Sequence, residues 1–276
     1  MGRVTSVRVD GLVLDVRDEG PADGTVVLLL HGFPQRSTCW RRVTPLLHEA
    51  GLRTLAPDQR GYSPGARPGG RRAYAGARLV GDALAVADAA GVGAVHWVGH
   101  DWGAAVGWQA AALRPERLRT LTAVSVPHPA AMLEATRHGD QLRRSWYMAL
   151  FQVPWLPERL LASRRAAGLL RAGGLDREGA ERYRREVVDD GALRGGLMWY
   201  RGLPFGRAGD VRRPARVPTT LVWGDGDEAL GRDAVDRTAR WVAAPYHLEV
   251  LPGVRHFVPE EAPAALAAAI LARVRA

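Results

Sequence analysis

The sequence predicts an α/β fold, a mostly parallel central sheet flanked by helices with an inserted helical segment, and three observations carry that expectation. Apolar runs of strand length alternate along the chain with segments of helical period. The run at 25–30, Thr-Val-Val-Leu-Leu-Leu, is apolar at successive positions, as a strand covered on both faces should be. Between residues 128 and 213 the alternation stops, and nothing there reads convincingly as a strand.

Taken in order, 4–9 and 12–16 alternate polar and apolar residues around Asp10-Gly11, which predicts a β-hairpin with a tight turn at one sheet edge. After 25–30, strands are expected at 53–57, 94–99, 118–126, 219–223 and 247–251. Helical patterns lie between them at 39–50, 75–90, 102–113, 232–242 and 259–273. Strand–helix alternation of this kind implies parallel crossovers of a single hand. The stretch 128–213 carries many Arg, Glu and Trp, with helical periods punctuated by Pro154, Pro157, Gly173-Gly174 and Gly195-Gly196. It reads as a helical cap inserted between two strands, which divides the chain into a core of 1–127 plus 214–276 and a cap of 128–213.

Composition removes several classes. The chain of 276 residues contains no stretch of 18 apolar residues, so a membrane span is not expected. The first 18 residues alternate in polarity and do not resemble a signal peptide, which reads as a cytoplasmic protein. Cys39 is the only cysteine, so no intrachain disulfide or cysteine metal cluster can form, and it reads as a small core residue. The formal charge is +9 and all 38 basic residues are arginines, with no Lys, no Asn and a single Ile at 270, a bias typical of a GC-rich genome. The Arg pairs are scattered and no basic arm exists, so a solvated arginine surface is expected and a nucleic-acid partner is not.

In open α/β sheets, ligands bind beyond the C-terminal ends of the strands. Four such places hold distinctive residues: His31-Gly32-Phe33-Pro34, Gly99-His100-Asp101-Trp102-Gly103, Asp225 and Asp227, and His256. In the second, glycines stand two before and two after Asp101 at a strand-to-helix junction, the nucleophile-elbow pattern with Asp in the place of Ser. The plain alternative is that Asp101 caps the following helix. His96 and His100 are four apart but lie in a strand without an acidic partner pattern, and neither a dinucleotide fingerprint nor a Walker motif is present.

With these four places in order, the sequence resembles the α/β-hydrolase superfamily, and within it the Asp-nucleophile branch of epoxide hydrolases and haloalkane dehalogenases. The chain order nucleophile, acid, His is the one this superfamily uses. The resemblance implies that Asp101 attacks a saturated carbon to form an alkyl ester and that His256 is the base for the water that hydrolyses it. It assigns the acid behind His256 to Asp227, with Asp225 as the reserve. It makes the backbone N–H groups of Phe33 and Trp102 the oxyanion hole and suggests a cis Phe33-Pro34 bond. Asp58-Gln59-Arg60-Gly61-Tyr62-Ser63 also looks like a family signature and reads as loop scaffolding.

The leaving group separates the two branches: a halide needs ring N–H donors, and an alkoxide needs a proton, commonly from cap tyrosines. His-Gly-Phe-Pro resembles the epoxide hydrolases. Met198-Trp199-Tyr200-Arg201 looks like the segment supplying one such tyrosine, so Tyr200 is the expected acid. The second tyrosine of the family tends to precede a Phe-Gln pair, whereas Leu150 precedes Phe151-Gln152 here, and Tyr147, one helical turn earlier, is the candidate in its place. Trp146, Met148, Phe151, Trp155, Leu156 and Trp199 suggest an apolar pocket above Asp101, and His128 a position at its edge. The expectation is therefore a cofactor-free, metal-free hydrolase that opens a small apolar epoxide with water to a vicinal diol, with no membrane partner and with a homodimer compatible. A dehalogenase-like hydrolase and a non-catalytic small-molecule receptor on the same fold are the alternatives.

Overall fold

The computed structural model describes residues 2–207 and 209–276. Its strands are β1 (Ser6–Val9), β2 (Leu12–Glu19), β3 (Thr25–Leu30), β4 (Leu52–Pro57), β5 (Val95–His100), β6 (Leu118–Val124), β7 (Thr219–Gly224) and β8 (Tyr246–Leu251). They form one sheet in the order β1-β2-β4-β3-β5-β6-β7-β8. β1 pairs antiparallel with β2 and β2 with β4, and every later pairing is parallel. The hairpin expected at the edge closes by pairing Val9 with Leu12 around Asp10 and Gly11, both with positive φ, the backbone that a two-residue hairpin turn requires.

The parallel strands alternate their apolar side chains between two cores, because successive residues point to opposite faces. Leu28, Leu30, Trp97, Leu121 and Trp223 pack on the side that also buries Leu79, Ala83 and Trp108. Val27, Leu29, Val98, Val124 and Val222 pack on the other side with Val43, Leu47, Leu266 and Ile270. Burial on both faces explains the continuous apolar runs. Cys39 is buried in the second core as a free thiol. Among the described residues no helix is long and apolar enough to cross a membrane.

Three expected helices are broken rather than continuous. The segment 39–50 is a 3₁₀ turn at Ser37–Trp40 followed by a helix at Thr44–Glu49, where Pro45, lacking an N–H, takes a first-turn position. The segment 259–273 divides into Val258–Glu261 and Pro263–Arg275 at Pro263 for the same reason. The segment 232–242 is helical over Arg232–Arg237 and tightens to a 3₁₀ turn at Thr238–Trp241, where the Thr238 hydroxyl bonds back to the Ala234 carbonyl.

Between β6 and β7 the described residues form helices and turns without a strand. Pro157 sits in the first turn of the helix Leu156–Leu161, where proline is tolerated, and does not interrupt one. Gly195-Gly196, expected to break a helix, lies inside Leu193–Gly202. The glycines serve close approach: a Cβ on Gly195 would stand 1.9 Å from the Gly61 carbonyl oxygen, and one on Gly196 2.7 Å from the Tyr62 hydroxyl. The helix therefore rests directly on the loop that follows β4.

That loop ties core and insertion together. Arg60 donates to both carboxylate oxygens of Asp82 at 2.7 and 2.6 Å, with both side chains buried, while its carbonyl accepts the Trp199 indole N–H at 2.7 Å. Asp58 accepts from the Ser37 N–H and hydroxyl, and Gln59 is held by His31. Asp82→Ala leaves a buried guanidinium with the Ala73 carbonyl and, as its acidic partner, only the more distant Asp10, and should cost about 3 kcal/mol; chemical denaturation measures it.

Candidate active site

Asp101 follows β5 and precedes the helix Trp102–Leu113, at φ 51° and ψ −115°. So sharp a turn needs small neighbours. A Cβ on Gly99 would come within 2.2 Å of Gly103, one on Gly103 within 2.1 Å of the Leu30 carbonyl oxygen, and one on Gly32 within 2.3 Å of the Asp101 Cβ. Asp101 occupies the N-cap position, yet its side chain makes no cap hydrogen bond and its Oδ1 accepts the Phe33 N–H at 2.7 Å. The Phe33-Pro34 peptide is cis. The Trp102 N–H is the first of its helix and has no intrahelical acceptor, so Phe33 and Trp102 offer backbone donors on the two sides of the turn.

His256 lies beyond β8. Its Nδ1 is 2.8 Å from Asp227 Oδ2, and its Nε2 is 3.7 Å from Asp101 Oδ2, beyond hydrogen-bond length. Asp227 is fixed by the N–H groups of Ala229 and Leu230, which donate to its other oxygen at 2.8 and 3.0 Å. Asp225 accepts instead from the Gly253 N–H and shapes the turn, so of the two aspartates only Asp227 meets the imidazole.

Sequence reasoning passed over the groups that hold the His256 backbone. Its carbonyl accepts from the Ser125 hydroxyl at 2.8 Å and lies 2.9 Å from His100 Nε2. Ser125 has φ 68° immediately after β6, the same kind of strand-end position that marked the other sites, but the apolar run read as a strand to 126 hid it. Glu260, one turn beyond His256, is buried against Arg41, Arg182 and Gln35. Arg182 comes from the insertion, and nothing in the local sequence announces that meeting.

Two tyrosines of the insertion face Asp101 across the site. Tyr200 packs edge-on against Trp102 and Phe33 at ring distances of 4.9 and 5.4 Å, and the Tyr147 ring is 6.2 Å from it. Phe151 fills the angle between them, and Gln152, unassigned by the sequence, donates to the Tyr200 carbonyl at 2.9 Å. Both tyrosines line a cavity of about 270 Å³ with Asp101, Trp102, Met148 and Trp199. His128 reaches the same cavity, while its ring caps the helix Pro129–His138 by accepting the Ala130 N–H.

The apolar set expected above Asp101 needs correcting. Trp146, Trp155 and Leu156 are 66%, 78% and 45% exposed, and only Met148 and Trp199 of that group line the cavity, with Phe151 packed behind. The helix Trp146–Leu150 turns Tyr147 and Met148 inward, and Trp146, about 100° round the helix from Tyr147, points to water.

Electrostatics set the protonation states. Burial would discharge His256, but the negative charge of Asp227, joined by Asp101, outweighs it and pushes the imidazolium up to about 10. Burial would raise the Asp101 carboxyl, but the rings of His256 and His100 and the Phe33 N–H hold it below its ordinary value. Burial, then the charge of Asp101, pushes the Tyr200 phenol far up, and burial with Asp101 and Asp227 does the same to Tyr147. At neutral pH the site is a carboxylate beside an imidazolium, under two phenols that keep their protons.

A profile of the α/β hydrolase fold matches residues 25–263. The chain belongs to the α/β-hydrolase superfamily. It is 35% identical to the AB hydrolase superfamily protein YfhM of Bacillus subtilis, over 94% of this chain and 93% of that one. It is 32% identical to epoxide hydrolase A of Mycobacterium tuberculosis, over 98% and 97% of the two chains. Among solved structures, epoxide hydrolase A of Mycobacterium thermoresistibile superposes with a TM-score of 0.84 at 27% identity, covering 98% of this chain and 97% of that one. Among α/β hydrolases, the chain thus resembles the epoxide hydrolases.

His256 titration tests the electrostatics. Nitrogen-detected NMR should find its transition near pH 10, and Asp101→Asn should lower it by more than about one pH unit. Because the folded value lies above the ordinary 6.5, the stability this ring contributes is complete below about pH 6.5 and is lost as pH rises through about 10.

Proposed function

We propose that the protein is an epoxide hydrolase working through a covalent ester on Asp101, with residues 128–213 as the cap that closes the site. The observation that carries this reading is a carboxylate at the elbow with the His256–Asp227 pair on one side and two protonated tyrosines on the other. An Asp at the elbow suits attack on a saturated carbon, and tyrosines suit an oxygen leaving group rather than a halide. The similarity to proteins named epoxide hydrolases supports the same reading.

In the first step a carboxylate oxygen of Asp101 attacks one epoxide carbon, that carbon–oxygen bond breaks, and the ring oxygen takes a proton from Tyr200, with Tyr147 as the second donor. The ester has no charge, so His256 loses one of the two carboxylates that kept it protonated. Its proton then passes to the tyrosinate, which leaves a neutral imidazole. Water attacks the carbonyl carbon of the ester and gives a proton to His256, while the N–H groups of Phe33 and Trp102 receive the oxyanion. Collapse returns the carboxylate, and the proton remaining from the water goes to the departing diol oxygen. The cycle ends with Asp101 ionised, His256 protonated and both phenols intact. In this scheme Asp101 is nucleophile and switch, since its esterification is what frees the base. No step draws on a metal or cofactor.

Asp101→Ala should abolish epoxide turnover while the protein stays folded; activity near that of the unaltered enzyme would overturn the mechanism. His256→Gln should accumulate the ester, and intact-protein mass spectrometry should show the mass of a whole epoxide, mapped to Asp101. An alkyl adduct formed from haloalkanes and not from epoxides would assign the dehalogenase chemistry instead. Tyr200→Phe should slow ester formation by roughly 10²-fold, with a smaller effect for Tyr147→Phe, and leave ester hydrolysis less affected; rapid-quench measurement of the two half-reactions separates them.

A further inference from the structure

We propose that the exposed surface of residues 142–171 in the helical insertion is a docking surface for an anionic lipid membrane. Among the described residues eleven large apolar side chains are exposed, and seven of them fall within 142–169. Trp155 at 78%, Leu169 at 70%, Leu142 at 68% and Trp146 at 66% are the most exposed of the set. Residues 141–172 also hold six arginines and one acidic residue, Glu158. Glu158 is bound by Arg201, and Arg144 by Asp140. The other five, Arg143, Arg159, Arg164, Arg165 and Arg171, are exposed and have no acidic group within ion-pair distance among the described residues.

Elsewhere among the described residues most arginines are paired with carboxylates, whereas five of the six in 141–172 are not, so unpaired arginines are concentrated among the exposed Trp and Leu of this segment. Exposed tryptophans beside cationic side chains match the chemistry of the lipid headgroup boundary, where apolar rings enter the acyl edge and arginines meet phosphates. A second copy of the chain is a poor occupant, since a twofold contact would press this face against itself and bring arginine to arginine. That no helix among the described residues is long and apolar enough to cross a bilayer leaves binding at its surface open.

The surface adjoins the cavity. On the helix Trp146–Leu150, Trp146 faces water while Tyr147 and Met148 line the cavity. Docking through this face would set the insertion beside a reservoir of apolar molecules. The binding itself is independent of the proposed reaction, and its test needs no substrate.

The test is flotation of the full chain with vesicles of phosphatidylcholine alone and of phosphatidylcholine with phosphatidylglycerol. Binding should appear with the anionic vesicles and weaken with salt. Trp146→Ser/Trp155→Ser, at two exposed positions, should weaken it by about tenfold or more with an unchanged melting temperature. Arg159→Gln/Arg164→Gln/Arg165→Gln should weaken it by about fivefold per arginine. Absence of binding to anionic vesicles would overturn the proposal. So would binding that the tryptophan variants leave unchanged, which would mark plain charge attraction, or a dimer abolished by those variants in a protein that ignores vesicles, which would assign the face to a second copy.

Discussion

The backbone turn at Asp101 is the constraint on which the rest of the site depends. Its conformation, rare for a residue with a side chain, lifts the carboxylate off the end of β5 and toward the loop after β3. Three glycines permit it, each because a Cβ would collide with backbone or with Asp101 itself. The central strands fix the distance between those parts: Leu30 pairs with Gly99 across the β3–β5 ladder, so Gly32 and Asp101 must meet. A side chain so held cannot relax away from its partners, which is how a buried carboxylate stays ionised next to an imidazolium.

His256 is positioned by a further means. Its loop packs closely too, since a Cβ on Gly224 would stand 2.1 Å from the Val254 carbonyl oxygen, but it is held mainly by hydrogen bonds to the backbone and by the short helix that follows it. Ser125 and His100 engage its carbonyl, Asp227 its ring, and Glu260 fastens the helix to Arg41 of the core and Arg182 of the insertion. The Glu260 cluster places buried charge at the junction of two parts of the fold. Removing Glu260 would leave Arg41 and Arg182 only the exposed Glu178 to pair with, which makes the junction specific. The insertion is thereby tied to the loop of the candidate base as well as to Arg60 through Trp199.

The arginine content has two structural meanings. Inside, guanidiniums satisfy several acceptors at once: Arg201 binds both oxygens of Glu158 and the carbonyls of Phe151 and Val153, and so shapes the turn behind Tyr147 and Tyr200. In 141–172 five of the six arginines stand exposed with no carboxylate in ion-pair distance among the described residues. Charge counted along the chain could not separate these two populations, and scattered Arg pairs looked alike wherever they occurred.

What the sequence determined by itself is what short-range rules encode. The strands followed from runs of apolar residues, the hairpin from Asp10-Gly11, and the elbow from glycines spaced about Asp101, since each depends on neighbours within a few residues. Helix ends were less legible because Pro45 and Pro263 act against a pattern that otherwise continues. Tertiary structure decided which aspartate meets His256, that Tyr147 stands opposite Tyr200, and that Trp146 and Trp155 face water. It also brought Ser125, Gln152 and Glu260 to their partners. Those outcomes depend on contacts between segments far apart in the chain, where a rotation of about 100° per residue sends adjacent side chains to opposite environments.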